Sequence, residues 1–186
     1  MKFTNPPSGF VEIVKMFARV MFCVSAMLLP ASVMAQTSAS GTGSLTVIQP
    51  LTITKNADLQ FGSVVRPVSA AGAVAVAVTG ARTVTGDIQA LASGDTPQAA
   101  RFTISGEGGH ALSVTIPASF TLANGSQSLV VNTSNNLTGA LSAQTLSGTA
   151  GGAGTLDVRV GGTVALATTT PAGLYTGAFT VSTAYN

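Results

Sequence analysis

An all-β antiparallel domain, a sandwich or barrel of about nine or ten strands, is what this sequence predicts. Three observations carry that expectation. Charged residues make up only 8% of the 186, so Glu and Lys, strong helix formers, are scarce while β-branched residues recur throughout. No segment shows a convincing apolar period of 3.6 residues. Short alternating runs are punctuated by Gly, Pro, Asn and Asp at the spacing typical of strand–turn–strand folds.

The first residues have a different character. Lys2, Lys15 and Arg19 form a basic region interrupted only by Glu12, and an uncharged apolar run follows from Val20. Val33 and Ala35 are small residues at −3 and −1 of a cleavage site before Gln36, the signature of an export signal over residues 1–35. The run from Val20 to Ala35 falls short of the ~20 residues a spanning helix needs, so no membrane span is expected after cleavage. Met16 offers a second start within the same signal. Cys23 lies inside it, without the small residue that precedes a lipidated cysteine, so the mature chain is expected to lack cysteine and to depend on packing and backbone hydrogen bonds rather than disulfides. Beyond the signal, Lys55, Arg66, Arg82, Arg101 and Arg159 balance Asp58, Asp87, Asp95, Glu107 and Asp157. A sparse, neutral charge set has no footprint for nucleic acid or anionic lipid.

Residues 36–44 are a leader of small residues, too poor in apolar groups to offset the entropy of ordering them. A β-sandwich domain is expected over 45–186. It opens with Leu45–Ile48, where Leu45 and Val47 alternate with polar neighbours until Pro50 interrupts. Leu51–Thr54 reads as a strand, 56–58 as a turn, and Leu59–Val65 as the next extended piece, ended by Pro67. Ala73–Val78 alternates small and branched residues as a central strand does, and Thr85–Leu91 is weaker. Ala99–Ser105 puts Phe102 and Ile104 on one face; Ala111–Ile116 does the same with Leu112, Val114 and Ile116. With Gly106–Gly109 between them as a turn, the two read as an antiparallel hairpin. Phe120–Leu122 and Ser128–Thr133 flank Asn124-Gly125, a hairpin signal because both residues tolerate positive φ. Residues 135–154 read as a loop pinned by Leu137, Leu141 and Leu146. Thr155–Val160 alternates, Gly161-Gly162 is expected to turn, and Thr163–Leu166 to return. In the last stretch Phe179, Val181, Thr183 and Tyr185 share one strand face and Ala178, Thr180, Ser182 and Ala184 the other.

The inventory of reactive groups excludes most chemistry. His110 is the one histidine; placed in a predicted turn, it reads as a surface residue rather than as part of a Ser/His/Asp arrangement. Zinc needs three or four Cys, His or carboxylate ligands, and none cluster. Asp87 and Asp95 are close in sequence but sit in turn-like surroundings, so they read as solvated loop acids rather than a glycosidase pair. Asp157 and Arg159 lie two apart on the outward side of one strand. Gly41-Thr-Gly43 and Gly106–Gly109 lack the strand–turn–helix setting of phosphate loops. Asn124, Asn132 and Asn136 begin glycosylation sequons that arise readily in Asn/Ser/Thr-rich chains. No catalytic, metal or cofactor residue is expected, and no enzyme.

Two blocks carry a resemblance. Pro50-Leu-Thr-Ile-Thr-Lys-Asn-Ala-Asp-Leu-Gln-Phe-Gly62 resembles the P-L-x-I-x-x-x-x-x-L-x-F-G opening of exported bacterial proteins with the domain of unknown function DUF4402. The ending Gly173-x-Tyr-x-Gly-x-Phe-x-Val-x-x-x-Tyr-Asn186 is similar to theirs. More distantly, the layout resembles secreted pilins of the chaperone–usher kind. That likeness implies an immunoglobulin-like antiparallel β-sandwich, located in the periplasm, at the cell surface or in an extracellular fibre of a bacterium. It implies partners that are other copies or related surface subunits, with an export chaperone and usher. It further implies a donor strand at Thr37, Ala39, Gly41, Gly43, Leu45 and Val47, and an acceptor groove along Phe179, Val181, Thr183 and Tyr185. The chain differs from the pilin pattern in having no disulfide and in offering small residues at 39, 41 and 43. The expected function is therefore that of a non-enzymatic surface protein, a pilus or fibre subunit joined by strand addition. The alternative is a monomeric periplasmic or cell-surface binding module, for instance for glycans, although the aromatics that would stack on sugars are all wanted for the core.

Overall fold

In the computed structural model, which describes residues 37–92 and 96–186, the described residues form twelve strands and no helix. They are β1 (Thr52–Ala57), β2 (Val64–Val65), β3 (Gly72–Val76), β4 (Arg82–Val84), β5 (Gln89–Ala90), β6 (Ala100–Glu107), β7 (Ala111–Thr115), β8 (Ser119–Asn124), β9 (Gln127–Asn135), β10 (Gln144–Thr145), β11 (Ala153–Leu166) and β12 (Ser182–Tyr185). Every pairing among them is antiparallel. The sheets curl into a half-barrel, sandwich-like architecture, as the alternating sequence predicts. The chain divides into two units, Met1–Leu45 and Thr46–Asn186, and all twelve strands belong to the second. In the first, residues 37–45 are exposed and carry no regular structure. The expected export signal, Gln36 and Asp95 lie outside the described residues.

The spine is β11, 14 residues long. Residues 153–160 pair with β6, residues 162–166 with β3, and residues 160–164 with β9. At Val160 both β6 and β9 are partners, and from Gly162 to Val164 both β3 and β9 are, so β6 and β3 follow one another along a single edge. β1 extends this sheet beyond β6, β4 beyond β3, and β8 beyond β9. A second sheet has the order β10-β7-β12. Two clusters of buried residues make the core; the first joins the large sheet to β7, and the second lies on the large sheet with Ile88 and with Val64 of the small β2–β5 pair. The first gathers Phe102, Ile104, Leu112, Val114, Leu146, Val158, Val160 and Val181. The second gathers Val74, Ile88, Val131, Val164 and Leu166.

Several expectations are corrected. Gly161-Gly162 is not a turn but the middle of β11, where the partner along one edge changes from β6 to β3. Glycine is required there by close approach: a Cβ on Gly161 would meet the Val76 carbonyl, and one on Gly162 would lie 2.7 Å from Val131 Cγ1. Ala99–Ser105 and Ala111–Ile116 do not form a hairpin. β6 runs on through Glu107, and the connection carries the chain into the other sheet. The 144–154 stretch, expected to be loop, supplies β10 to β7 and the start of β11 to β6, so it takes the hydrogen bonds a hairpin would have used. The β8–β9 hairpin forms, but its two-residue turn is Gly125-Ser126, with Asn124 paired to Gln127. Gly125 supplies φ +60 at the first turn position. Finally, Leu45–Ile48 is not a strand. A strand needs a partner edge for its N–H and C=O groups, and the described chain offers this segment none.

Candidate functional site

After the β11 spine, the chain returns along the open side of β8. Thr176 and Ala123 exchange both backbone hydrogen bonds, at 2.8 and 3.0 Å. Gly177 passes so close to β8 that a Cβ would strike the Thr121 carbonyl. The chain then leaves β8 and joins β7, where Ser182 opposes Thr115. Between the two partners, residues 177–181 make no backbone hydrogen bond with the described chain. Burial nevertheless alternates through the crossing. Phe179 is half-buried and Val181 buried, while Ala178 and Thr180 are exposed. This is an extended segment in strand phase without a strand partner, its polar groups left to water.

Beside this crossing is an apolar cleft of about 220 Å³, lined by Leu59, Ala100, Leu122, Ala178 and the aromatics. Every phenylalanine of the described residues lines it: Phe61, Phe102, Phe120 and Phe179. Phe179 is the hub, 4.9 Å from the Phe120 ring at a tilt and 6.1 Å from Phe102 edge to face. Such offset and edge contacts are the favoured arrangements for aromatic rings. The cleft lies at the seam between the two buried clusters, and Leu59 packs against both. At its rim Lys55 and Asp58 pair at 2.7 Å, both largely exposed, so the mouth carries no net charge.

The terminal strand ends in a polar latch. Glu107, 5% exposed, accepts the N–H groups of Gly151 and Gln49. Those two amides, Gly151 first, hold its carboxyl below the usual glutamate range, and His110 adds a smaller pull in the same direction. The Tyr185 hydroxyl accepts the Glu107 N–H at 2.6 Å and donates to the Gln49 carbonyl at 2.8 Å. The His110 ring meets Tyr185 edge to face at 5.9 Å.

The family model described as a domain of unknown function (DUF4402) matches residues 51–185. The chain belongs to the DUF4402 family. No curated protein and no solved structure matches it. The DUF4402 match takes in all twelve strands and every residue that lines the cleft, whereas Leu45 and Val47 precede it.

The structure distributes the sequence-predicted residues of this DUF4402 chain in two groups. Thr37, Ala39, Gly41, Gly43, Leu45 and Val47 are all exposed, Leu45 at 86% and Val47 at 83%. Phe179 faces the cleft. Val181 belongs to the buried core, Thr183 donates to the Ser113 carbonyl, and Tyr185 is held in the latch. Asp87 accepts the Val68 and Ser69 N–H groups and the Ser69 hydroxyl, which shapes a loop and lowers its carboxyl pKa. Asp157 pairs with Arg159 at 2.9 Å and Arg101 at 3.8 Å on the outer face of the large sheet. Among the described residues no three His, Cys, Asp or Glu side chains gather as a metal site would need. Sequence reading missed the cleft and the latch. The cleft is assembled from four separate segments, and its only sequence signal is that aromatics are so few. Glu107 falls within the turn the sequence predicts at Gly106–Gly109, where a buried carboxylate is not expected, whereas it ends β6.

Proposed function

We propose that this DUF4402 protein is exported by a bacterium and serves as a non-enzymatic structural protein of the cell surface, a subunit of a pilus or fibre assembled by strand addition. Its partners are other copies of itself or related surface subunits, delivered by an export chaperone and usher. The observation that carries this reading is the crossing at residues 177–181, an extended segment between the edge of β8 and β7 whose main-chain donors and acceptors are unused among the described residues. Natural sheets normally blunt such edges with charge or proline. Here residues 177–182 are Gly, Ala, Phe, Thr, Val and Ser, with neither. The exposed, uncharged leader supports the same reading, since a segment that gains nothing by folding on its own domain is free to pair with another.

The test is the mass and morphology of the native protein released from cells. Multiangle light scattering across a concentration series, with electron microscopy of the same fractions, should show species larger than one chain and elongated particles. A strictly monomeric protein at every concentration contradicts the proposal.

A further inference from the structure

We infer that the phenylalanine cleft together with residues 177–181 is the acceptor site, and that its occupant is Leu45 and Val47 of a second copy of this chain. The inference rests on the self-association reading above and goes further by naming both halves of the contact.

An occupant has to satisfy two demands. It must bring an extended backbone to pair with residues 177–181, and apolar side chains at alternate positions to enter the cleft, because successive strand residues point to opposite faces. Among the exposed large hydrophobics of the described residues, Leu45 and Val47 are the only two that stand two positions apart. Both are more than four-fifths exposed, at 86% and 83%. They lie in a stretch without secondary structure, residues 37–50, which carries no charge and so meets no repulsion at a cleft whose rim charges cancel.

Chain reach decides between the chain's own pair and a neighbour's. The Gln49 N–H is tied to the Glu107 carboxylate and its carbonyl to Tyr185. Glu107 ends β6, and Phe102 lines the cleft near its start, five residues away or about 17 Å along a strand. Val47, two residues before the anchored Gln49, extends at most about 7 Å from it, and Leu45 about 14 Å. The chain also leads from Gln49 onto β1, so the leader would have to fold back on itself. The pair therefore falls short of its own cleft while the latch is closed. The residues farther out, 37–43, are all Thr, Ser, Ala or Gly and have no large apolar side chain to fill it. The latch thus reserves the cleft for a neighbour's pair.

The experiment uses the full protein as purified from cells, with two variants that leave the packed core untouched. L45E/V47E charges the exposed donor pair, and A178E charges an exposed residue at the cleft wall. Mass is read by light scattering at several concentrations. A fluorescent peptide of sequence Gly43–Gln49 is titrated onto each variant and followed by anisotropy. The expected result is assembly of the wild type, monomers for both variants, and peptide binding to L45E/V47E but not to A178E. Wild-type assembly that survives both variants, or a peptide that binds neither, overturns this inference and leaves self-association standing. A wild type that never assembles overturns both.

Discussion

The Tyr185 hydroxyl donates to the Gln49 carbonyl at 2.8 Å, joining residues 136 positions apart, and accepts the Glu107 N–H at 2.6 Å. One phenol therefore ties the residue that precedes the first strand to the end of the last. Replacing Tyr185 by Phe removes the donor and the acceptor together. The Glu107 amide is left without its partner in a buried position, at a cost of about 1–3 kcal/mol. Urea unfolding of Tyr185→Phe should show that loss as a lower midpoint with an unchanged slope.

Acid should open the same latch. The Gly151 and Gln49 amides favour the ionised Glu107 carboxyl and lower its pKa in the folded state. A group whose folded pKa is depressed contributes stability above its unfolded pKa and loses it as the pH falls through the folded one. The Tm advantage of wild type over Glu107→Gln should therefore be full at neutral pH and shrink as the pH drops below the ordinary glutamate range. A Tm difference that stays constant with pH contradicts this account of the latch.

Gly162 is held by three close neighbours. A Cβ there would lie 2.7 Å from Val131 Cγ1, 3.2 Å from Leu59 Cδ2 and 3.3 Å from Phe61 Cζ. Gly162→Ala overpacks the centre of β11 and should cost about 1–3 kcal/mol, as measured by denaturant melts. Leu59 and Phe61 line the cleft, so the same variant should also weaken any assembly that uses it.

The strands themselves were legible because alternation follows directly from the pleat. What decides turn against continuous strand is phase, and it too was present in the sequence. Across the true turn at Gly125-Ser126 the apolar set moves from even positions, Phe120 and Leu122, to odd ones, Leu129 and Val131, because paired residues share a face. Through Gly161-Gly162 it stays even, from Leu156, Val158 and Val160 to Val164 and Leu166. A two-residue turn there would have put Val164 and Leu166 on the outer face. The glycine pair reads as a turn only if phase is ignored.

Other features were not legible. Whether two successive strands pair or diverge into opposite sheets depends on which distant segments claim their edges. Here the 144–154 stretch claims both, pairing β10 with β7 and β11 with β6. The cleft is hidden for the same reason. Phe61, Phe102, Phe120 and Phe179 meet only once the sheets have closed. The donor pair was visible as an alternation at Leu45 and Val47, but the same pattern also predicted a strand within the domain, which does not form.

Stability and assembly should separate at two leucines. Leu112 is fully buried in the core, and Leu112→Ala should cost about 2–5 kcal/mol through lost burial and the cavity left behind. Leu45 is 86% exposed, and Leu45→Ala should change stability by no more than about 0.5 kcal/mol. Thermal melts at low protein concentration measure both. In the assembled state Leu45→Ala should reduce the fraction of large species although its monomer melts normally.

The most direct measurement is amide hydrogen exchange across residues 176–186 of the native protein, in dilute and in concentrated samples. The β12 amides that face β7 are hydrogen-bonded within the chain and should be protected in both. The amides of residues 177–181 have no backbone partner among the described residues. They should exchange rapidly when dilute and become protected when concentrated, as a strand from a second copy pairs with them. Rapid exchange of residues 177–181 at every concentration would contradict the account.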